Sequence, residues 1–452
     1  MSTLDLTEGS VGKHVRDLAA PASIGWFFQT MYNVVDSFYG GRISTQALAA
    51  MALSFPVFLL MIAASSGLSR ATSALVANAI GENNTPKKNR LIIQALSLGL
   101  WITIMLMVVG LSIQRWLFEA LGATGDYLEL AVDYMTPIFL GSVFFVCSGL
   151  CNSILVAHGD SKTFGKVLII GFFLNLIFDP WFLYGGLGVP AMGLTGIAWA
   201  TVVIQAAGCC YMVYTVMQRK LVTVEKRSQL IPDLGVYWDL FVQGVPASFN
   251  TMSVAIGFFA TTFFLQKYGD ATVAAFGVTT RIEQIALLPT FGLSTAIMAL
   301  VGQNNGAKKY GRIRETMKVC ILAGLGLALL TSTIVFIFAE SVFGWFTNDP
   351  EVIGIGVYYA RIMMVIQWAF VVTSAHIAFL QAIKRPMYGF FETIFRKLLI
   401  PIPLIYTVVI WKQWPVEYVW YCMVFTTLFM TAVTVVYGQI KLRQIDQQPE
   451  PA

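Results

Sequence analysis

The chain has 452 residues, 57% hydrophobic and 12% charged, with a net charge of +5 and a mean hydropathy of +0.71. Soluble domains carry about 25% charged residues, so this chain cannot cover a water-facing surface and a soluble multidomain protein is excluded. The small basic excess reads as the loops of a membrane protein rather than as a nucleic-acid footprint, and no nucleic-acid partner is expected.

Residues 1–16 are polar, with Asp5, Glu8, Lys13 and Arg16. They hold no apolar core ahead of a small-residue cleavage site, so the first membrane helix itself is expected to direct insertion. A spanning helix needs about 20 apolar residues. Such stretches fall at 16–40, 50–79, 92–115, 128–157, 164–184 and 194–217, then at 239–265, 280–304, 317–339, 353–382, 388–411 and 417–440. The expected fold class is an all-α integral membrane protein of about twelve transmembrane helices in the lipid bilayer. The six cysteines, Cys147, Cys151, Cys209, Cys210, Cys320 and Cys422, all lie in apolar stretches without zinc-type spacing. They read as packing residues, and no metal or cofactor is expected.

Alternate loops test the count. One set holds Lys87, Lys88 and Arg90; Lys162 and Lys166; Arg219 and Lys220; Lys308, Lys309, Arg312 and Arg314; Lys384 and Arg385; Lys441 and Arg443. The other holds only Arg42, Arg115, Lys267 and Lys412. Cytoplasmic loops are the Lys/Arg-rich ones, so both termini are expected in the cytoplasm, in the inner (plasma) membrane.

The chain repeats itself at an offset of 225 residues: Pro21 and Ser23 recur as Pro246 and Ser248, Gly67-Leu-Ser69 as Gly292-Leu-Ser294, Leu75-Val76 as Leu300-Val301, Gly81 as Gly306, and Tyr134 as Tyr359. Two six-helix lobes follow, 1–220 and 221–452, with Arg219–Asp233 as the linker. Six spans is an even number, so the lobes insert with the same orientation, as parallel repeats do. Two similar bundles around a cavity suit alternating access and hence transport.

Ionisable residues at membrane depth are costly and mark functional sites. In span one, Gln29, Tyr32, Asn33 and Asp36 follow helical spacing and make a polar stripe. It either faces a wet cavity or pins span one to a neighbour. In span five, Asn175 and Asp179 lie one turn apart, and Pro180 frees the carbonyl of Leu176. Asp179 is either part of this site or a carboxylate at the outer helix end. Two carboxylates in a partly dehydrated cavity cannot both ionise freely, so a proton and a cation can compete for them. The second half has Thr261 at the repeat position of Asp36. It carries instead Arg281 and Glu283, read as an ion pair; Arg361; His376, read as a core histidine; and Glu392 with Arg396, a pair one turn apart. Arg396 and Lys397 could also snorkel to the membrane edge. Trp26, Phe27 and Phe28 adjoin the stripe of span one. No P-loop, His-Glu-x-x-His or nucleophile elbow is present. A transporter driven by an ion gradient, not an enzyme, is expected.

The Leu18-Ala-x-Pro21 segment followed by Asp36, the run Leu75-Val-Ala-Asn-Ala-Ile-Gly81 echoed by Leu300-Val-Gly-Gln-Asn-Asn-Gly-Ala307, and the Gly159-Asp160-Ser161-Lys162 turn together carry a resemblance. Over nearly its whole length the chain resembles the multidrug and toxic compound extrusion (MATE) family. The resemblance implies two six-helix lobes around a central cavity and export of drug-like organic cations and amphipathic compounds in exchange for H⁺ or Na⁺. Asp36 with Asn175 and Asp179 is similar to the DinF-like branch, whose proton-responsive site is in the first lobe. Carried over by position, Gln29, Tyr32, Asn33, Tyr134 and Asn152 would line the substrate pocket. The NorM-like pattern adds acids in spans seven and ten, which this chain lacks, so H⁺ is preferred to Na⁺. A lipid-linked precursor flippase of the same superfamily is the alternative. A monomer is expected.

Overall fold

The computed structural model describes residues 5–186, 188–224 and 227–447. The described residues are almost wholly helical. The long helices are α1 (Val11–Ile43), α2 (Thr45–Gly81), α3 (Thr85–Ala120), α4 (Gly125–Leu140), α5 (Ser142–Ala157), α6 (Lys162–Tyr184) and α7 (Gly193–Gln218). They continue with α8 (Leu234–Leu265), α9 (Asp270–Gly306), α10 (Tyr310–Gly344), α11 (Pro350–Val365), α12 (Gln367–Ala382), the short α13 (Met387–Ile394) and α14 (Pro401–Tyr406), and α15 (Glu417–Asp446).

Nine of the described helical segments are long and apolar enough to cross a membrane, and two bent pairs counted as single spans raise the number to eleven. The expectation was about twelve. Helix α1 falls outside this set although its 33 residues exceed the length needed. Its polar residues Gln29, Tyr32, Asn33 and Asp36 dilute its hydropathy, which is the same feature that marks it as a candidate site.

The repeat is visible in the helix limits. Thr45 and Gly81 bound α2, and their counterparts 225 residues on, Asp270 and Gly306, bound α9. The bent pairs obey the same offset. Helices α4 and α5 meet at Gly141 with a 47° bend, and α11 and α12 meet at Ile366 with a 50° bend. Spans 128–157 and 353–382 are therefore each broken near their middle.

The chain forms two compact units, Met1–Asp5 with Ile24–Ser248, and Leu6–Ser23 with Phe249–Ala452. The division passes through α1 and α8. In the first unit α2 packs on α3, α4 and α5, while α7 packs on α4, α5 and α6. In the second, α9 packs on α10, α11 and α12, and α12 packs on α15. Most side chains in these seams are Ala, Val, Leu and Ile, such as Ala71, Val76, Ile154 and Leu155 in the first unit and Ala296, Ile297 and Leu300 in the second. Small residues let backbones approach closely, which is how membrane helices gain packing without a hydrophobic drive between them. At Gly67 an added Cβ would meet the Gly244 carbonyl and the Ser248 hydroxyl, and its repeat counterpart Gly292 would likewise meet Ala19 and Ser23.

Linker and N-terminus are tied down in parallel ways. Gln94 on α3 donates to the Gln229 and Ile231 carbonyls at 2.8 and 2.9 Å, and Arg90 pairs with Asp233. In the second unit Arg312 donates to the carbonyls of Leu6, Glu8 and Gly9. The Gly159–Lys162 turn is structural. Asp160 accepts from the Thr163 backbone at 3.0 Å and pairs with Arg219 at 2.6 Å, capping α6.

The register of α1 on α6 decides where the polar residues meet. A Cβ on Gly25 would lie 3.2 Å from Gly165 Cα, so the two backbones touch there. Further along, the rings of Phe28 on α1 and Phe172 on α6 stand 5.4 Å apart. Asp36 lies 11 residues beyond Gly25 and Asn175 lies 10 beyond Gly165, similar rises of about 16 and about 15 Å along the two helices.

Two predictions follow from this packing. Gly25→Val drives a branched side chain into Gly165 and should cost about 1–3 kcal/mol, read as a lower unfolding temperature of the detergent-purified protein. His158, in the turn after α5, contacts the Ile154 carbonyl at 2.8 Å. Burial, with Lys88 nearby, pushes its imidazole down to about 4 against that backbone bond. The unfolded chain then takes up a proton near pH 6.5 that the folded one refuses. Stability is full above that pH and should fall as pH drops toward about 4. Replacing His158 with Gln should flatten that stretch of the stability–pH curve.

Candidate functional site

In the first unit α1 and α6 bring Asp36, Asn175 and Asp179 into one buried cluster. The Asn175 Nδ2 donates to Asp36 Oδ1 at 2.9 Å and to Asp179 Oδ1 at 2.8 Å. One neutral amide thus spends both hydrogens on two carboxylates. Asp36 is 6% exposed, and Asn175 and Asp179 are 0% exposed. Asp179 lies five residues before the end of α6 yet is fully enclosed, which sets aside its reading as a carboxylate at a wet helix end.

The two carboxyl groups also adjoin each other. Two anionic oxygens side by side in an apolar bundle repel, so the pair attracts a proton or a cation. Tyr32, one turn before Asp36, is buried against the same cluster, with Thr201 of α7 beside both. Tyr134 of α4 stands within electrostatic reach of both acids. Four atoms here, Tyr32 Oη, Asn175 Oδ1, Asp179 Oδ2 and Thr201 Oγ1, are buried without a hydrogen-bond partner among the described residues. These are hard oxygen donors. They suit a proton, a water or an alkali cation rather than a soft transition metal. Among the described residues no group of three His, Cys, Asp or Glu side chains could hold a metal.

The other sequence candidates are spread around this cluster. Gln29 is half-buried on α1. Asn33 is exposed, and its carbonyl accepts from Ser37 at 2.9 Å. The buried seam of α1 therefore runs through Gly25, Tyr32, Asp36 and Gly40 and leaves Asn33 to one side. Asn152 on α5 is half-buried with Oδ1 unpartnered. Of the aromatics beside the stripe, Phe28 packs on Phe172 while Trp26 and Phe27 are exposed.

Thr201 is the site residue that sequence reasoning missed. A lone threonine in an apolar span carries little signal, because its hydroxyl is usually satisfied by its own helix carbonyl.

In the second unit, Arg281 is exposed and makes no ion pair with Glu283 among the described residues. Two positions apart on a helix, they point about 200° from each other. Glu392 and Arg396 do pair, at 2.5 Å. Arg361 pairs with Glu340 at 3.5 Å and lies over Phe336. His376 is buried, with Nδ1 2.8 Å from the Val372 carbonyl.

A family model described as MatE matches residues 21–181 and 246–407, two stretches that begin at repeat-equivalent positions. A probable multidrug resistance protein of Bacillus subtilis, YoeA, is 24% identical over 365 residues, covering 80% of this chain and 78% of its own. The FAD transporter of Shewanella oneidensis is 24% identical over 404 residues, 88% of each chain. A solved structure of a multidrug resistance MATE family transporter of the MOP superfamily, in an outward-facing conformation, matches with a TM-score of 0.92 at 25% identity over 99% of both chains. With the model matched along most of both halves, the chain belongs to the MatE family, whose members are membrane transporters and not enzymes.

Proposed function

We propose that the protein is a secondary exporter of organic cations and other amphipathic compounds, driven by H⁺ moving inward through the Asp36–Asn175–Asp179 cluster by alternating access. The observation that carries this reading is the Asn175 amide held between two buried carboxylates. A proton on the pair satisfies it, and so does a positive charge brought by cargo; both at once are not needed. Protonation of Asp36 would weaken its bond to Asn175, rearrange the Asn175–Asp179 contact and reshape α1, shrinking the pocket and releasing cargo outward. The names of the multidrug resistance relatives support the cargo class. The pairing of Asp36 with Asp179 in the first unit, with no acid in the middle of spans 239–265 or 353–382, supports a DinF-like coupling scheme. The Lys/Arg asymmetry of the loops supports an inner-membrane protein with both termini cytoplasmic, and it acts as a monomer in this scheme. Na⁺ is the second reading, favoured by the all-oxygen character of the cluster.

The test is uptake of a cationic dye into liposomes holding the purified protein, under an imposed pH gradient or an imposed Na⁺ gradient. The pH gradient should drive transport. Asp36→Asn and Asp179→Asn should each reduce it by at least about tenfold, and Asn175→Ala by a similar factor, because the buried acids lose their bridge. Retention of pH-driven transport in both Asp variants would sink the proton assignment. Transport driven by Na⁺ alone would replace the coupling ion. Transport under neither gradient would favour a lipid-linked precursor flippase.

A further inference from the structure

The second unit carries a cation on the seam where the first unit carries its acids. At the 225-residue offset, Gly257 stands for Tyr32, Thr261 for Asp36, Ile400 for Asn175 and Leu404 for Asp179. The space opened at Gly257 is taken by Lys397. A Cβ on Gly257 would lie 3.1 Å from Lys397 Cβ.

The backbone around Lys397 is unusual. Its counterpart α6 is one continuous helix, but here a π-turn, Phe395–Leu399, interrupts the span. Pro401 and Pro403 explain it. Each lacks an N–H and crowds the carbonyl four residues earlier, those of Lys397 and Leu399. Insertions of this kind recur at functional sites. Consecutive residues on an α-helix point about 100° apart. Here Arg396 and Lys397 nevertheless converge on one ring, their charged ends 5.4 and 5.8 Å from the Phe370 centroid. They do not snorkel apart toward the membrane edge.

The two cations differ in what they hold. Arg396 is bonded to Glu392, whose other oxygen accepts from Thr393 at 3.2 Å. Lys397 is half-buried and has no salt bridge among the described residues. Glu283 of α9 stands within electrostatic reach of it, yet Glu283 Oε1 is buried without a hydrogen-bond partner. A half-buried ammonium that stops short of its carboxylate leaves donors unspent, and unpaired charge in an apolar bundle is costly. One turn before Lys397, Thr393 accepts from Asn250 at 2.7 Å.

We propose that Lys397 and Phe370 form a subsite in the second unit that takes the carboxylate of an aromatic cargo molecule. Lys397 supplies a charge-assisted hydrogen bond, and Phe370 an apolar ring face. Glu283 opposes the anion and sets how tightly it is held. This rests on the export reading.

The experiment compares a xanthene dye bearing a free carboxylate with the ethyl ester of the same dye, by uptake kinetics in liposomes. Lys397→Gln should raise KM for the free-carboxylate dye about tenfold and leave the ester within about twofold. Lys397→Arg should restore most of the loss. Glu283→Gln removes the opposing charge and should lower KM for the carboxylate dye. Equal loss with both dyes, or no loss with either, overturns the subsite. Should the wild type carry neither dye, the export reading fails and the subsite is judged by binding. Fluorescence anisotropy of the carboxylate dye on purified wild type and Lys397→Gln would then have to show weaker binding by the variant, and equal affinities overturn the proposal.

Discussion

The structure of the first unit depends on one amide. Asn175 gives both its hydrogens to carboxylates that would otherwise repel across a few ångströms of apolar bundle. Removing water from a single carboxylate costs several kcal/mol even after relaxation. Two of them persist here only because three conditions hold together. The Gly25–Gly165 contact fixes α1 against α6 at a register that delivers Asp36 to Asn175. Asp179 follows Asn175 by one helical turn, so both face the same seam. The hydroxyls of Tyr32 and Thr201 keep the remaining walls polar. Lose the contact at the glycines and the similar rise along the two helices no longer brings Asp36 to Asn175.

Duplication copied the backbone more faithfully than the chemistry. Helix ends and mid-span bends recur at the same offset in both units, because they follow from the apolar pattern and from small residues at crossings. The side chains on the α1–α6 seam and its counterpart share almost nothing. In the first unit that seam is acidic with a continuous α6. In the second, Pro401 and Pro403 disrupt the equivalent helix, and a lysine fills the place vacated at Gly257. A symmetric scaffold thus carries two chemically different seams, acidic in the first unit and basic in the second.

Much of this was legible in the sequence, for a definite reason. Charge inside an apolar run is expensive, so Asp36 and Asp179 stand out, and Asn175 is found by its spacing to Asp179. The repeat was legible because identities kept a constant register over long stretches. The less visible features are those with no penalty attached. Thr201 hides because threonine is cheap in a helix. Asn33, grouped with Asp36 by spacing, lies exposed beside the buried line of Tyr32 and Asp36. The midpoint breaks at Gly141 and Ile366 fall inside stretches whose overall apolar character reads as one continuous span each. The partner of Glu283 was misjudged by sequence proximity to Arg281, whereas helix geometry sends those two side chains in nearly opposite directions. Helix α1 carried the opposite lesson, since the polar stripe that reveals its function also keeps it below the hydropathy of an ordinary span.

The choice of asparagine at 175 has a consequence for any exchange at this cluster. A lysine there could also bridge two carboxylates, with greater Coulombic gain. It would neutralise one of the two charges permanently, and the site would have less need of a proton or a cationic cargo. Arginine would do the same with a bidentate fork. An amide holds the geometry and leaves the charge unmet. The pair then keeps a standing demand for positive charge that only something mobile can satisfy, and two mobile cations competing for one demand is the condition for exchange. A bridge that is strong in geometry and neutral in charge keeps that demand open, and Asn175 at the centre of the cluster meets both conditions.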